Sequence, residues 1–328
     1  RKSVCGGCST GCSIWIDENQ DHVYRLRPRE NMQVNKWWMC DEGRYGFHYI
    51  HSDKRLVGPG KRTAAAAGMA NKSADAVVAA SAAVKGLQNA EWEHVFQELP
   101  AALQKAQGLA VVLSPFLTVE EAYLLAKFAR SVNEQALIAV GHVPVVGEDI
   151  TYRSGFTIRA EKCPNRRGVE EIAKHFSGAL TTWPDLVSKV AAGEFEAVWV
   201  TGAYPGDWVD ATAAESLSKA SLLVVQDIFP SPLAEKAAWL LPGAAFGERA
   251  GSYVNHADRL QSFEWAVRPP QGARSEGSVF WRLLGQSGLY SAKQVLHEVA
   301  AEIPYFARAA EKVPEQGVDL KLNMLAQT

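Results

Sequence analysis

Thiols are scarce in this 328-residue sequence, which has five cysteines, three of them within eight residues. An odd, clustered set in a chain this long argues against a disulfide framework and for a reducing compartment with a bound metal. No run of about 18 apolar residues occurs, so no membrane-spanning helix is expected. No charged n-region followed by an apolar h-region marks a signal peptide. Neither a G-x-G-x-x-G after a strand nor a P-loop is present, which removes the two commonest phosphate-cradling fingerprints. The formal net charge of −2 and the charged fraction of 21% fit neither a disordered chain nor a nucleic-acid binder. No nucleophile–base–acid set can be read, so no catalytic residue is assigned. No internal repeat is evident.

What the chain does have is apolar content, 47%, enough for a sizeable core and for more than one domain. Charge is unevenly placed. Residues 1–62 carry 11 Lys/Arg against 7 Asp/Glu, a net of +4, which leaves −6 for the rest. A basic N-terminal module beside a mildly acidic body suggests two units with different roles, unless the asymmetry belongs to solvated surfaces.

The pattern along the chain divides it four ways. Residues 13–29 read as a β-hairpin, with Ile14 and Ile16 alternating against polar neighbours, "ENQD" as the turn, and Val23, Tyr24 and Leu26 returning to Pro28. The aromatics Trp37, Trp38, Tyr45, Phe47 and Tyr49 are expected to form a dry jacket or ordinary core, and this module should end near residue 55. Residues 56–90, rich in Ala, Gly and Ser, read as a linker or a loosely packed connection. Residues 91–290 alternate helices and short apolar strands. A helix over 91–108 should kink or break at Pro100, and strands are expected at 109–115, 136–141, 196–203 and 221–228. Helices open at Thr118, whose Glu121 three residues on gives a capping-box spacing, at about 168 and at about 184. This alternation predicts an α/β doubly wound parallel sheet covered on both faces. Residues 291–328 form a C-terminal helical and extended tail.

The cysteine spacing is Cys5-x2-Cys8-x3-Cys12-x27-Cys40. Three thiolates on one loop can cap one face of a compact cluster, and a distant fourth closes it; four thiolates are the usual complement of a [4Fe–4S] cluster. Gly6, Gly7 and Gly11 supply the backbone freedom a wrapping loop needs, and N–H groups that can point at sulfur. A structural zinc site remains the main alternative, although zinc sites usually present two separated Cys pairs; plain buried thiols are the other.

The run "CGGCSTGC…WWMCDEGRYGFHYIH" resembles the [4Fe–4S] domain of the molybdopterin oxidoreductase superfamily. It is most similar to that domain in the large iron–sulfur (G) subunit of bacterial respiratory complex I, the NADH:quinone oxidoreductase. "SPFLTVEEAYLLAKFAR", "RAEKCPNRRGVEEI" and "LPGAAFGERAGSYVNHADRLQSF" extend the resemblance through most of residues 1–285. It implies a small β-rich [4Fe–4S] domain, with Cys5, Cys8, Cys12 and Cys40 as ligands, followed by a reduced molybdopterin-oxidoreductase-like α/β body. It also implies an electron-carrying role among the other subunits of the peripheral arm. The place implied is the cytoplasmic side of the inner membrane, with no membrane insertion and no nucleic acid. The family's first part, a plant-type [2Fe–2S] domain and a His/Cys-bound cluster domain, would precede Arg1, so the chain is expected to be an excised or processed piece.

Catalytic relatives carry Lys or Arg two residues after the fourth cysteine, between cluster and pterin. Here Glu42 stands there, and an acid near anionic pterin groups repels. No molybdopterin is therefore expected. The leftover thiol, Cys163, reads as a small buried hydrophobe rather than a molybdenum ligand. Arg166 and Arg167 before a helix could bind an anion or simply be solvated. "GAYPGDW" at 202–208 ends a strand where α/β folds place ligands and is read as a vestige. His48 and His51 are read as surface groups or as neighbours of the cluster loop. The rival readings are a small formate-dehydrogenase-like molybdopterin enzyme and a zinc-bearing docking module.

Overall fold

The computed structural model describes residues 1–62, 84 and 86–321. Strands β1 (Lys2–Val4), β2 (Ser13–Asn19) and β3 (His22–Pro28) form an antiparallel sheet. The β2–β3 hairpin is the one expected from alternation: Ile14, Ile16, Val23 and Leu26 bury one face. Its turn, at Gln20 and Asp21, is left-handed at both positions, with φ of 51° and 60°, as hairpin turns favour.

The body is built on a seven-stranded sheet in the order β5-β4-β12-β11-β10-β6-β7. Its parallel part comprises β6 (Leu109–Leu113), β7 (Leu137–Val140), β10 (Ala197–Thr201), β11 (Leu222–Asp227) and β12 (Trp239–Pro242). The first, β6, is buried at every residue, as a strand covered on both faces must be. Two antiparallel edge strands, β4 (Gly60–Arg62) and β5 (Leu87–Asn89), come from the stretch expected to be a connection. The Ala-rich remainder of that stretch, 63–83 and 85, lies outside the described residues. Two apolar clusters cover the two faces, one around Trp199, Phe128 and Phe280, the other around Val198, Val200 and Leu223.

Helix ends follow the sequence signals. Thr118 caps the helix Val119–Val132 in a capping box with Glu121. The helix Trp92–Lys105 runs through Pro100 without a break. Val95, Leu99 and Leu103 hold its apolar face in the core, and that burial outweighs the amide hydrogen bond that Pro100 cannot make. The helix Arg166–Ser177 starts two residues earlier than expected. Its first guanidinium, Arg166, is engaged by Glu161 and Glu170, and Arg167 by Asp258, so neither is free for an anion.

Three small elements tie module and body together. A two-stranded arm, β8 (Ile150–Thr151) with β9 (Thr157–Ile158), rises between β7 and the helix Arg166–Ser177. A hairpin, β13 (Gly251–Val254) with β14 (Arg259–Phe263), pairs with the late strand β15 (Val318–Asp319). The core of the cysteine module is shared: Phe156, Ala245, Phe246, Ala266 and Val267 pack against Ile14, Leu26 and Ile50. Part of the basic surplus of residues 1–62 is paired with acids of the rest of the chain. Arg55 meets Glu248, Lys61 meets Glu98, and Lys2 and Arg29 meet Glu315. Among the described residues, no helix is long and apolar enough to cross a membrane.

Candidate iron–sulfur site

The loop 5–12 joins β1 to β2. Its neck is closed by Cys5 N–H donating to the Cys12 carbonyl at 2.9 Å, and its tip folds back through Gly11 N–H to the Cys8 carbonyl. Cys5 and Cys12 therefore flank the neck and Cys8 sits at the tip. Cys40 approaches from the other side as N-cap of the short helix Asp41–Tyr45, its sulfur accepting from Gly43 N–H at 3.3 Å. All four cysteines line one small cavity, open to solvent in part, with Gly7, Thr10, Met39, Glu42, Gly43, Phe156 and Ile158. The cysteines are free thiols. Among the described residues, no three His, Cys, Asp or Glu side chains converge tightly enough to hold a single ion.

Burial and mutual repulsion set their electrostatics. Desolvation, then the neighbouring Cys8, pushes Cys5 up to about 12, partly opposed by the Gly7 N–H. Cys12 and Cys40 are raised for the same leading reason. Four thiolates in so dry a place need a compensating positive charge, which is what an iron or zinc centre brings. The donor set thus fits a thiolate-bound metal group.

Of the three glycines in the loop, Gly11 alone is left-handed, with φ of +66°. A Cβ there would also lie 3.0 Å from Asn255 Cβ. At Gly6 the constraint is space: a Cβ would meet Phe246 at 3.1 Å. The body grips the back of the loop. Gln261 Nε2 donates to the Gly11 carbonyl at 2.7 Å, and its Oε1 accepts from Ser13 Oγ at 2.8 Å. Asn255 Nδ2 donates to the Thr10 carbonyl at 3.1 Å, and Ser9 N–H donates to the Glu161 carbonyl at 3.0 Å. Asn255 and Gln261 lie in the run "LPGAAFGERAGSYVNHADRLQSF" that extended the resemblance. Phe156 and Ile158, by contrast, carry no signal in sequence: they reach the cavity because the β8–β9 arm folds over it.

The aromatic jacket is real only in part. Phe47 is buried and Tyr49 half-buried, but Trp37, Trp38 and Tyr45 are exposed. Asn31 and Asn35 take the interior positions of that turn. Asn35 Oδ1 accepts from Ser13 N–H, and its Nδ2 donates to the Trp38 carbonyl, which turns both indoles outward. His48 and His51 are exposed and do not line the cavity; His51 Nε2 accepts from Val23 N–H at 2.9 Å.

The strand ends of the parallel sheet are filled. Phe116, Cys163, Ala203, Tyr204 and Ile228 pack together there. Tyr204 stacks on Trp208 with centroids 4.4 Å apart, and its hydroxyl donates to the His142 carbonyl at 2.6 Å. Asp227, at the end of β11, accepts from Ala203 N–H, Ile228 N–H and Trp208 Nε1–H. Cys163 is fully buried in this plug.

Comparison with known proteins matches this layout. The family described as molybdopterin oxidoreductase Fe4S4 domain matches residues 1–52, and the family described as molybdopterin oxidoreductase matches residues 179–286. The G subunit of the NADH-quinone oxidoreductase of Streptomyces coelicolor is 33% identical over 129 residues, covering 39% of this chain and 13% of that protein. The alpha subunit of F420-dependent formate dehydrogenase 1 of Methanococcus maripaludis is 31% identical over 132 residues, 38% of this chain and 19% of that one. The matched residues thus span less than a fifth of either relative's length. Among solved structures, acetylene hydratase from Pelobacter acetylenicus aligns over 87% of this chain and 69% of its own, with a TM-score of 0.49 and 10% identity. The chain carries a molybdopterin oxidoreductase Fe4S4 domain over residues 1–52 and a molybdopterin oxidoreductase domain over residues 179–286.

Proposed function

We propose that this chain is an electron-transfer subunit of an NADH:quinone oxidoreductase. Cys5, Cys8, Cys12 and Cys40 hold one [4Fe–4S] cluster within a module spanning residues 1–55, backed by an α/β body over 91–290. The observation that carries this reading is that four thiols, three from one loop and the fourth from a helix N-terminus 28 residues on, line one cavity. When bound, the cluster supplies one-electron storage. The chain's own residues supply four thiolates, a Gly43 N–H toward sulfur and the apolar cover of Met39, Phe156 and Ile158.

The body holds no molybdopterin in this reading. The support is the packed aromatic plug at the strand ends, where an open α/β sheet would otherwise offer its crevice. The formate-dehydrogenase-like reading requires that crevice to be open. The partners would be other subunits of such a complex, gathered at the cytoplasmic face of the inner membrane. The support on this chain is the exposed pair Trp38 and Tyr152, which flank Met39, Cys40, Phe156 and Ile158 of the cavity wall.

Metal analysis with EPR of the dithionite-reduced protein tests the whole reading. Four irons per chain, a reduced-cluster signal and no molybdenum are expected. Stoichiometric zinc with no reduced signal would overturn it in favour of a docking module, and stoichiometric molybdenum in favour of an enzyme.

A further inference from the structure

Lys162, four residues beyond the arm, pairs with a residue that lines the thiol cavity. Its Nζ lies 2.6 Å from Glu42 Oε2, and its side chain is only 15% exposed, against 57% for Glu42. Backbone bonds fix the segment that carries it. Lys162 N–H donates to the Pro144 carbonyl at 2.8 Å, and the preceding carbonyl, Glu161, accepts from Ser9 N–H inside the cysteine loop. Glu42 lines the thiol cavity, and the ion pair with it holds the Lys162 charge at that rim.

A group bound by four thiolates is anionic, and taking up one electron makes it more so by one charge. A fixed, poorly solvated cation beside it favours the reduced state, and an adjacent carboxylate favours the oxidised one. Lys162 is the better buried of the pair and Glu42 is the one that lines the cavity, so the two fields oppose each other there. Resting on the [4Fe–4S] reading above, we propose that Lys162 sets the reduction potential of the group held by Cys5, Cys8, Cys12 and Cys40, with Glu42 as the opposing charge. Lys162 is a positioning residue: it ligates nothing and acts through its field.

The test is an EPR-monitored redox titration of the cluster-bearing protein, in which dithionite supplies the single electron. Lys162→Gln should disfavour reduction about tenfold, which for a one-electron couple is a downward shift of about 59 mV. Lys162→Arg, which keeps the charge, should titrate as the wild type does. Glu42→Gln should shift the midpoint upward. Wild-type midpoints in both Gln variants, with iron content intact, would overturn the proposal. If Lys162→Gln fails to keep its iron, Glu42→Gln decides alone, because it leaves the cation in place: an upward shift supports the proposal and an unmoved midpoint overturns it. A wild-type protein without an iron–sulfur signal is a different result, which removes the cluster reading itself and the inference with it.

Discussion

Arg55 grips both oxygens of Glu248 in a bidentate pair, at 3.1 and 2.8 Å, with both side chains essentially excluded from solvent. Arg55 closes the cysteine module and Glu248 belongs to the body, so the pair spans their shared core. Removing one partner strands a buried charge. Arg55→Met should therefore cost about 3–5 kcal/mol of stability, and the double variant Arg55→Met/Glu248→Met should recover most of it. Urea denaturation of the two variants checks this; equal losses in single and double variants would refute it.

Gly43 is constrained by the thiols. A Cβ there would lie 3.2 Å from Cys5 Sγ and 3.4 Å from Cys40 Sγ. Gly43→Ala should therefore lower iron content sharply, while far-UV circular dichroism of the body stays unchanged. Gly147→Ala is the comparison for a site with free space around it; its own cost is the left-handed φ of +65°, about 1 kcal/mol, with no effect on iron.

Glu120 gives a pH dependence of known sign. It is buried, accepts from Ser252 N–H at 2.8 Å, and desolvation pushes it up to about 7 from an ordinary 4.5. Between those values the unfolded chain releases this proton while the fold retains it, so stability falls as pH rises and the full penalty stands above about 7. Glu120→Gln should remove that slope and stabilise the protein by up to about 3 kcal/mol at about pH 8. Denaturation midpoints measured at about pH 5 and about pH 8 provide the check. A variant no more stable than the wild type at the higher value would contradict it.

Trp208 donates Nε1–H to Asp227 at 2.9 Å within the strand-end plug. Trp208→Phe keeps a ring to stack on Tyr204 but leaves one Asp227 oxygen short of a donor, which should cost about 1–3 kcal/mol. A thermal shift shows it directly. No change would mean that water replaces the indole.

Much of this was legible from local pattern. The hairpin at Ile14 and Ile16, the Thr118 capping box and the buried run Leu109–Leu113 each announce themselves through a period or a spacing that physics ties to one geometry. The cysteine set was readable for the same reason. What could not be read depends on contacts distant in sequence. Phe156 and Ile158 reach the cavity across more than 110 residues. Lys162 meets Glu42 at a separation of 120. Trp37 and Trp38 turn outward because Asn31 and Asn35, unremarkable in sequence, find buried partners. Antiparallel strands at the edge, Gly60–Arg62 and Leu87–Asn89, are three residues each, too short for periodicity to reveal.

The grip of Asn255 and Gln261 on the cysteine loop also fixes an order of events. The loop leaves the ribosome long before its holders do: the hairpin that grips it, and the β15 strand that pairs with that hairpin, are made roughly 240 to 310 residues later. At roughly 5–20 residues per second that is a wait of roughly 15–60 s. During it the loop has only its own neck and tip bonds, Cys5 to Cys12 and Gly11 to Cys8, and lacks the Asn255 and Gln261 bonds that hold it from behind.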